Sequence, residues 1–289
     1  MNLPITAGRG YPRPRSSIQQ AHATTTPVVT LTRARVVAEL VVSLGLPRTQ
    51  TEAVVTAFEE FVVQPMELHL GRLKGRDLAK RNPMIYTVRG ITTTEDWIRA
   101  VLQDKETSAL EGVLGTWQEE VARIVSGGIK PANGVDLQVE DGDTVALFAI
   151  QTATNTKNAG GSKHDREALK RAAAVLRNQR RHVECYIAVL FGRSRTASLR
   201  QEPGIAVLAS DEFWFRVSGV RGFRERLTRA TQTLACLMGE RSSSELQRIY
   251  REATALFDDG TGRVKIDALA NPPRARRWED GIQLVLPDV

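Results

Sequence analysis

The sequence predicts an α/β core, in which a sheet is covered by helices on both faces. Residues Thr144–Gln151 form a nearly continuous apolar run, which is typical of a strand buried on both sides. A helical pattern begins at Ser162 and a second apolar run follows at Val183–Phe191, and strands that alternate with helices indicate this fold class. A shorter strand within Asn133–Glu140 ends at an Asp-Gly pair, which predicts a tight hairpin before the buried strand.

Composition limits the classes of function that are open to the chain. It has 289 residues with 40 Lys and Arg against 33 Asp and Glu, so the net charge is +7. That excess favours a polyanionic partner such as nucleic acid. The two cysteines, Cys185 and Cys236, lie in apolar segments, which indicates a reducing compartment rather than a disulfide scaffold or a zinc site. Without a membrane-spanning run or a secretory signal, the expected location is cytoplasmic, with no membrane partner.

Four regions follow from the distribution of residue types. Residues 1–27 are rich in Pro, Gly, Arg, Ser and Thr, which predicts a disordered basic tail or, alternatively, an arm that lies on phosphates. Residues 28–104 are expected to form a helical N-terminal region, and residues 105–257 the α/β core with its C-terminal helices. Residues 258–289 contain Pro and Arg and are expected to be irregular, with a possible edge strand at Ile282–Leu286.

Within the N-terminal region, apolar residues recur at helical spacing between Val28 and Met66. The run Thr92–Glu95 has the pattern of a helix start, with a threonine cap before the first acid. After a link at Lys105–Ser108, a longer helix is predicted from Ala109 to Val125, ended by glycines. This helix leads the chain into the core.

Two basic segments are candidates for contact with phosphates. Residues Arg72–Arg81 include five basic side chains, which suit either a phosphate contact or a solvated helix face. In the helix from Ser162, one face is apolar and another is basic. A helix that crosses a DNA backbone uses such a face, because each cation neutralises a phosphate, although a solvated basic face has the same pattern. The predicted DNA-binding residues here are Lys163, Arg166, Lys170 and Arg177.

The end of the buried strand is a candidate site for phosphodiester hydrolysis. Such hydrolysis at neutral pH commonly uses a divalent metal, and Mg²⁺ prefers oxygen ligands with only one or two carboxylates. Asp136 supplies one acid before the hairpin. The polar, glycine-bearing loop Asn155–Gly161 follows the strand, and its glycines would allow the backbone to approach a phosphate closely. Asn155 and Asn158 are therefore further candidates for contact with DNA.

Three blocks of the chain together resemble one enzyme family. Glu111–Glu120, Gly134–Leu137 and Ile150–Ala159 are similar in order and spacing to the PD-(D/E)XK restriction endonucleases, in particular to the Pme-type branch of the bacterial type II enzymes. The resemblance spans about residues 95 to 220. It implies a restriction-endonuclease-like mixed sheet flanked by helices, and Mg²⁺-dependent cleavage of duplex DNA by a homodimer. A companion DNA methyltransferase is expected functionally rather than as a bound partner.

The sequence departs from that family at the acid-x-Lys triplet. Aligned without gaps, Gln151 falls on the lysine and Ala149 on the acid; shifted by two residues, Gln151 falls on the acid and Ala153 on the lysine. A glutamine amide can hydrogen-bond a water molecule but adds no positive charge. Lys157 is a candidate source of that charge. The resemblance implies catalytic roles for Asp136, Gln151, Lys157 and Glu120, and metal binding by Asp136 with Glu119 or Glu120, while Asp165 and Glu167 are alternative acids.

Three hypotheses remain open at this point. The first is a metal-dependent endonuclease, and the second is a DNA-binding protein with a nuclease-like core that has lost catalysis. The third is a structural or protein-binding α/β domain. Cleavage of duplex DNA, binding without cleavage, and the absence of salt-dependent binding would distinguish them.

Overall fold

The computed structural model describes residues 31–132, 134–153, 159–199, 202–238 and 243–270. They belong to one compact unit that begins at Leu31. The predicted tail at residues 1–27 and the predicted edge strand Ile282–Leu286 lie outside the described residues. No helix in the described ranges is both long enough and apolar enough to cross a membrane.

Helices make up most of the described chain. Two π-helical turns, Val41–Gly45 and Glu59–Val63, and two 3₁₀ helices, Gly75–Lys80 and Ala235–Met238, adjoin or connect them. In chain order the α-helices are α1 (Arg33–Leu40), α2 (Arg48–Phe58), α3 (Gln64–Arg72), α4 (Met84–Val88), α5 (Thr94–Ser126), α6 (Ala159–Asn178), α7 (Ser210–Ser218), α8 (Phe223–Leu234), α9 (Ser243–Phe257) and α10 (Ile266–Ala270).

The sheet has five strands in the order β1-β2-β3-β5-β4. The antiparallel β1–β2 hairpin precedes α6, which connects β2 to its parallel neighbour β3, and β3 pairs in parallel with β5. The short edge strand β4 runs antiparallel to β5. This mixed sheet flanked by helices confirms the predicted α/β fold. The strands are β1 (Leu137–Asp141), β2 (Thr144–Ala153), β3 (His182–Phe191), β4 (Ala197–Ser198) and β5 (Ile205–Leu208).

Both faces of β2 are buried, as its continuous apolar run predicts. Phe148 and Ile150 pack into the largest core together with Trp117 of α5. Leu147 and Ala149 point to the other face, where they join the apolar side of α6. Because successive strand residues alternate between faces, helices on both sides require the two-sided apolar pattern.

Helix α5 contributes to two hydrophobic cores. Its first turns place Trp97 and Val101 in a core with Phe257 of α9, and its last turns place Trp117 in the core under the sheet. The helix starts as predicted, since Thr93 Oγ1 accepts a hydrogen bond from the amide of Asp96 at 3.2 Å. Its C-terminal cap is Gly127, which has a φ of +65°, a conformation that favours glycine.

Three expectations about local structure are wrong. The predicted link Lys105–Ser108 is part of the continuous helix α5, because it contains no glycine or proline to interrupt the helix. Helix α6 begins at Ala159 rather than at Ser162, so Asp165 lies in its second turn. The predicted irregular tail contains the short helix α10.

Candidate active site at the end of strand β2

Asp136 lies at a local irregularity where β1 meets β2. Leu137 pairs with Phe148 in the ladder, and the amide of Asp136 also donates to the Phe148 carbonyl at 3.1 Å. Two consecutive residues therefore lie opposite one, which is the arrangement of a β-bulge. Bulges bend a strand and redirect its side chains, and here the bulge coincides with the predicted catalytic acid.

The carboxylate of Asp136 contacts the end of β2. Asp136 Oδ2 accepts a hydrogen bond of 2.7 Å from the backbone amide of Ile150. Ile150 directly precedes Gln151, so the Asp136 carboxylate meets β2 one residue before the predicted Gln151. The bond satisfies an amide that would otherwise have no ladder acceptor at the bulge, so Asp136 also has a structural function.

Gln151 bonds to an acid on α6. Ala149 faces α6, and by alternation Gln151 faces the same side. Gln151 Nε2 donates to Asp165 Oδ2 at 3.2 Å, and Asp165 is only 8% exposed. A buried carboxylate needs hydrogen-bond or charge partners, and the glutamine amide provides one of them.

The predicted acids of α5 lie on the other side of the sheet. A side-chain carbon placed on Gly115 would lie 3.2 Å from Thr152 Oγ1, so this face of α5 covers the end of β2. Glu119 lies one turn further along the same face, and its Oε2 is 3.6 Å from Lys130 Nζ. Glu120 forms an ion pair with Arg123 on its own helix.

The donor atoms at the end of β2 suit a hard divalent cation. Asp136 and Asp165 offer carboxylate oxygens, and Gln151 offers an amide oxygen. Mg²⁺ takes one or two carboxylates and completes its shell with water and substrate oxygens, so this set fits it. Among the described residues, no group of three or more His, Cys, Asp or Glu side chains has the arrangement of a metal site.

The predicted DNA-contacting residues of α6 are engaged with neighbouring groups. Arg166 and Lys170 both pair with Glu202, and the Arg166–Glu202 separation is 3.7 Å. Lys163 lies 3.8 Å from Glu167, and Arg177 donates to the carbonyl of Val183 at 3.4 Å. Exposed ion pairs contribute at most about 1 kcal/mol each, so phosphates can compete with these acids for the cations.

Some expected site residues cannot be placed, and others emerge only in the structure. Lys157, Asn155 and Asn158 lie outside the described residues. The sequence predicts neither the Gln151–Asp165 hydrogen bond nor the ion pairs that Glu202 forms with α6. Each of these contacts joins segments that are separate in the chain. The sequence signal for Asp165 is that it is one of two acids, with Glu167, amid the basic residues of α6.

Phe213 and Trp214 on α7 are fully buried in the core under the sheet. The neighbouring Phe215 is 45% exposed.

A comparison with models of known protein families gives a match. A family model described as type II restriction endonuclease EcoO109I matches residues 51–235, well over half of the chain. The matched region begins in α2 and ends just after α8, so it contains the whole sheet and the end of β2 described above. No curated protein matches the chain.

Proposed function

Since the chain belongs to the EcoO109I family of type II restriction endonucleases, we propose that it cleaves duplex DNA in a Mg²⁺-dependent reaction at the end of β2. The observation that carries this proposal is the position of the Asp136 carboxylate, 2.7 Å from the amide of Ile150, the residue before Gln151. Bound Mg²⁺ supplies charge neutralisation at the phosphate and a water of lowered pKa.

We assign Asp136 to metal binding. One oxygen of its carboxylate already accepts the Ile150 amide, which fixes the orientation of the other. A carboxylate that is already held in this orientation needs little reorganisation when a metal binds. Hydrogen bonds of this kind to a metal-binding side chain raise the affinity for the metal.

Asp165 is our first choice for the second acid. It is buried, and it is bonded to the side chain that occupies the lysine or acid position of the family motif. Glu119 remains a candidate, because its face of α5 covers the end of β2. Glu120 is a weaker one, since its carboxylate is paired with Arg123.

Gln151 is proposed to position a water molecule or a phosphate oxygen. Its amide is neutral, so it can orient a group but cannot offset developing negative charge as an ammonium would. Lys157, six residues further on, is proposed to provide that charge. The site would then be a PD-(D/E)XK site of the Pme type in which the acid and the cation of the triplet have moved.

The remaining parts of the proposal concern partners. The basic face of α6, with Lys163, Arg166, Lys170 and Arg177, is proposed to contact the DNA backbone, and Asn155 and Asn158 to contact DNA from the loop. A homodimer is proposed, since a duplex offers two strands to cut, and a companion DNA methyltransferase is expected to protect the host site.

The substitution Asp136→Asn tests the proposal. Asparagine keeps an oxygen that can accept the Ile150 amide but removes the negative charge, so folding is preserved while metal binding is lost. We expect cleavage of mixed-sequence duplex DNA in Mg²⁺ or Mn²⁺ to fall by at least about 1,000-fold, with DNA binding retained. The assay is electrophoresis of plasmid DNA, together with a binding measurement in EDTA.

Asp143→Asn is the matched control, because Asp143 is an exposed acid in the turn of the same hairpin. It should cleave like the unchanged protein. If the unchanged protein binds DNA but cuts in neither metal, the hypothesis of a DNA-binding protein without catalysis is correct instead. If Asp136→Asn cuts normally, the assignment of the site is wrong.

A further inference from the structure

A cationic groove lies between helices α3 and α5 and the 3₁₀ helix Gly75–Lys80. Its volume is about 470 Å³, and its lining includes Arg72, Lys80 and Lys105 with a single carboxylate, Asp77. It adjoins a second depression of about 460 Å³, which also borders His69 and extends along α5 to Thr116. We call the two depressions together the α3–α5 groove.

The charges at the first depression are not balanced within the described chain. Asp77 is paired with Lys80 at 2.9 Å. Arg81, beside the groove, gives its hydrogen bonds to the carbonyl of Asp104 and the hydroxyl of Ser108, which are neutral acceptors. Burial and the neighbouring cations Arg81 and Lys80 hold the pKa of Lys105 below its ordinary value. A bound anion would relieve this repulsion.

The groove also contains a polar atom that lacks a partner. His69 Nε2 is buried and makes no hydrogen bond to any described residue, and His69 borders both depressions. Buried polar atoms almost always have a partner in the protein or in bound solvent. Because this nitrogen is buried, an acceptor oxygen from outside the chain would reach it only after the imidazole turns towards the groove.

The groove runs towards the end of β2. Gly115 of α5 faces Thr152, and Thr116 beside it lines the groove. From Lys105 to Gly115 the helix rises by about 15 Å. Duplex DNA advances by 3.4 Å per base pair, so this separation corresponds to about four base pairs.

We propose that the α3–α5 groove binds the phosphate backbone of the DNA duplex about four base pairs from the bond that is cut. This inference rests on the proposed function, because it takes the end of β2 as the point of cleavage. Cations spaced along a groove suit a polyanion, and each phosphate that they neutralise releases a counterion. The lining of the second depression contains no carboxylate that would repel the backbone between the two points; Glu111, an exposed acid of the same helix, does not belong to this lining.

The test compares two triple variants of the full-length protein. The first, Arg72→Gln/Lys80→Gln/Lys105→Gln, removes the three cations of the groove. The control, Arg35→Gln/Arg48→Gln/Arg99→Gln, removes the same net charge from exposed helix positions that pair with acids one turn away. Fluorescence anisotropy with a 30-base-pair mixed-sequence duplex in EDTA, at several salt concentrations, gives the affinity and its salt dependence.

We expect the groove variant to bind at least about tenfold more weakly than the control and to reduce the slope of log K against log salt by two to three. Thermal unfolding of both variants verifies that they are folded, and Lys105→Arg, which keeps the charge, should bind like the unchanged protein. Equal affinity and slope for the two triple variants would overturn the inference.

Two further outcomes distinguish a failure of the proposed function from a failure of the groove inference alone. If the unchanged protein shows no salt-dependent binding, the proposed function itself fails. If it binds and cuts but the groove variant matches the control, only the groove inference fails. Calorimetry with inorganic phosphate adds a last arm: loss of phosphate binding without loss of DNA affinity would identify a small-anion site and overturn the assignment to DNA.

Discussion

At the scale of single residues, the contact between Gln151 and Asp165 joins a neutral amide to a carboxylate. The amide donates one hydrogen bond of 3.2 Å to a nearly buried acid. A neutral donor stabilises a buried carboxylate less than a cation does. Gln151 therefore gives Asp165 a hydrogen bond without adding a charge.

Substitutions at Gln151 should separate charge from geometry. In Gln151→Lys the ammonium can donate to Asp165 and add positive charge, so we expect cleavage to be retained or increased. In Gln151→Leu the hydrogen bond to the buried Asp165 is lost, so we expect the rate of cleavage to fall by about 100-fold. Single-turnover rates on plasmid DNA measure both effects.

The double variant Gln151→Leu/Asp165→Asn tests whether the two side chains act together in cleavage. If the two side chains act as a unit, their effects on the cleavage rate will be far from additive. Additive losses would mean that Gln151 and Asp165 contribute separately, and the proposed pairing of their functions would have to be given up.

At the scale of elements, the 3₁₀ helix Gly75–Lys80 depends on close packing against α9. A side-chain carbon on Gly75 would lie 2.4 Å from the backbone nitrogen of Ala253. The amide of Gly75 also donates to Glu252 Oε2 at 2.8 Å. Glycine is therefore required here by the approach of another backbone, and the basic side chains of the groove are positioned by this contact.

Gly75→Ala should be destabilising, because the added carbon meets backbone that cannot rotate away. We expect a loss of about 1 to 3 kcal/mol in the free energy of unfolding, measured by urea denaturation. Gly71→Ala is the matched control, since nothing lies within 4 Å of its added carbon, and a helical alanine is at least neutral. Equal stability of the two variants would show that the 3₁₀ helix is not held in this way.

At the scale of the whole molecule, carboxylates with lowered pKa values link stability to pH. Burial alone would raise the pKa of Glu252, but hydrogen bonds from Gly75 and Arg248 outweigh it and lower the pKa below its ordinary value of 4.5. The pKa of Asp77 is lowered in the same way, against burial, by hydrogen bonds with Lys80 and Lys74. Both groups bind protons more readily when the chain is unfolded.

The direction in which stability changes with pH follows from the difference in proton binding between the folded and unfolded chain. A carboxyl whose pKa is lower in the folded state contributes its full stabilisation above the unfolded pKa and loses it as the pH falls through the folded pKa. We expect the free energy of unfolding to decrease below about pH 4.5. Glu252→Gln should be less stable at pH 7 and lose less stability on acidification. If the free energy of unfolding of this variant decreases at low pH as much as that of the unchanged protein, the assignment to Glu252 is wrong.

The sequence by itself determined the fold class and placed Asp136 directly before the hairpin. The two-sided apolar run at Thr144–Gln151 requires cover on both faces, and the structure has α5 and α6 there. The Asp-Gly turn fixes the register of the hairpin and with it the approach of Asp136 to the end of β2. These features are local or periodic, so they can be read along the chain.

The tertiary structure alone decided which groups meet at the site and at the groove. Asp165 reaches Gln151 because α6 crosses back over β2, and Lys105 joins Arg72 and Lys80 because α5 continues unbroken past residue 104 and packs beside α3. Each contact depends on the packing of helices whose residues are far apart in sequence. Propensity and spacing act over a few residues, so they do not specify such contacts.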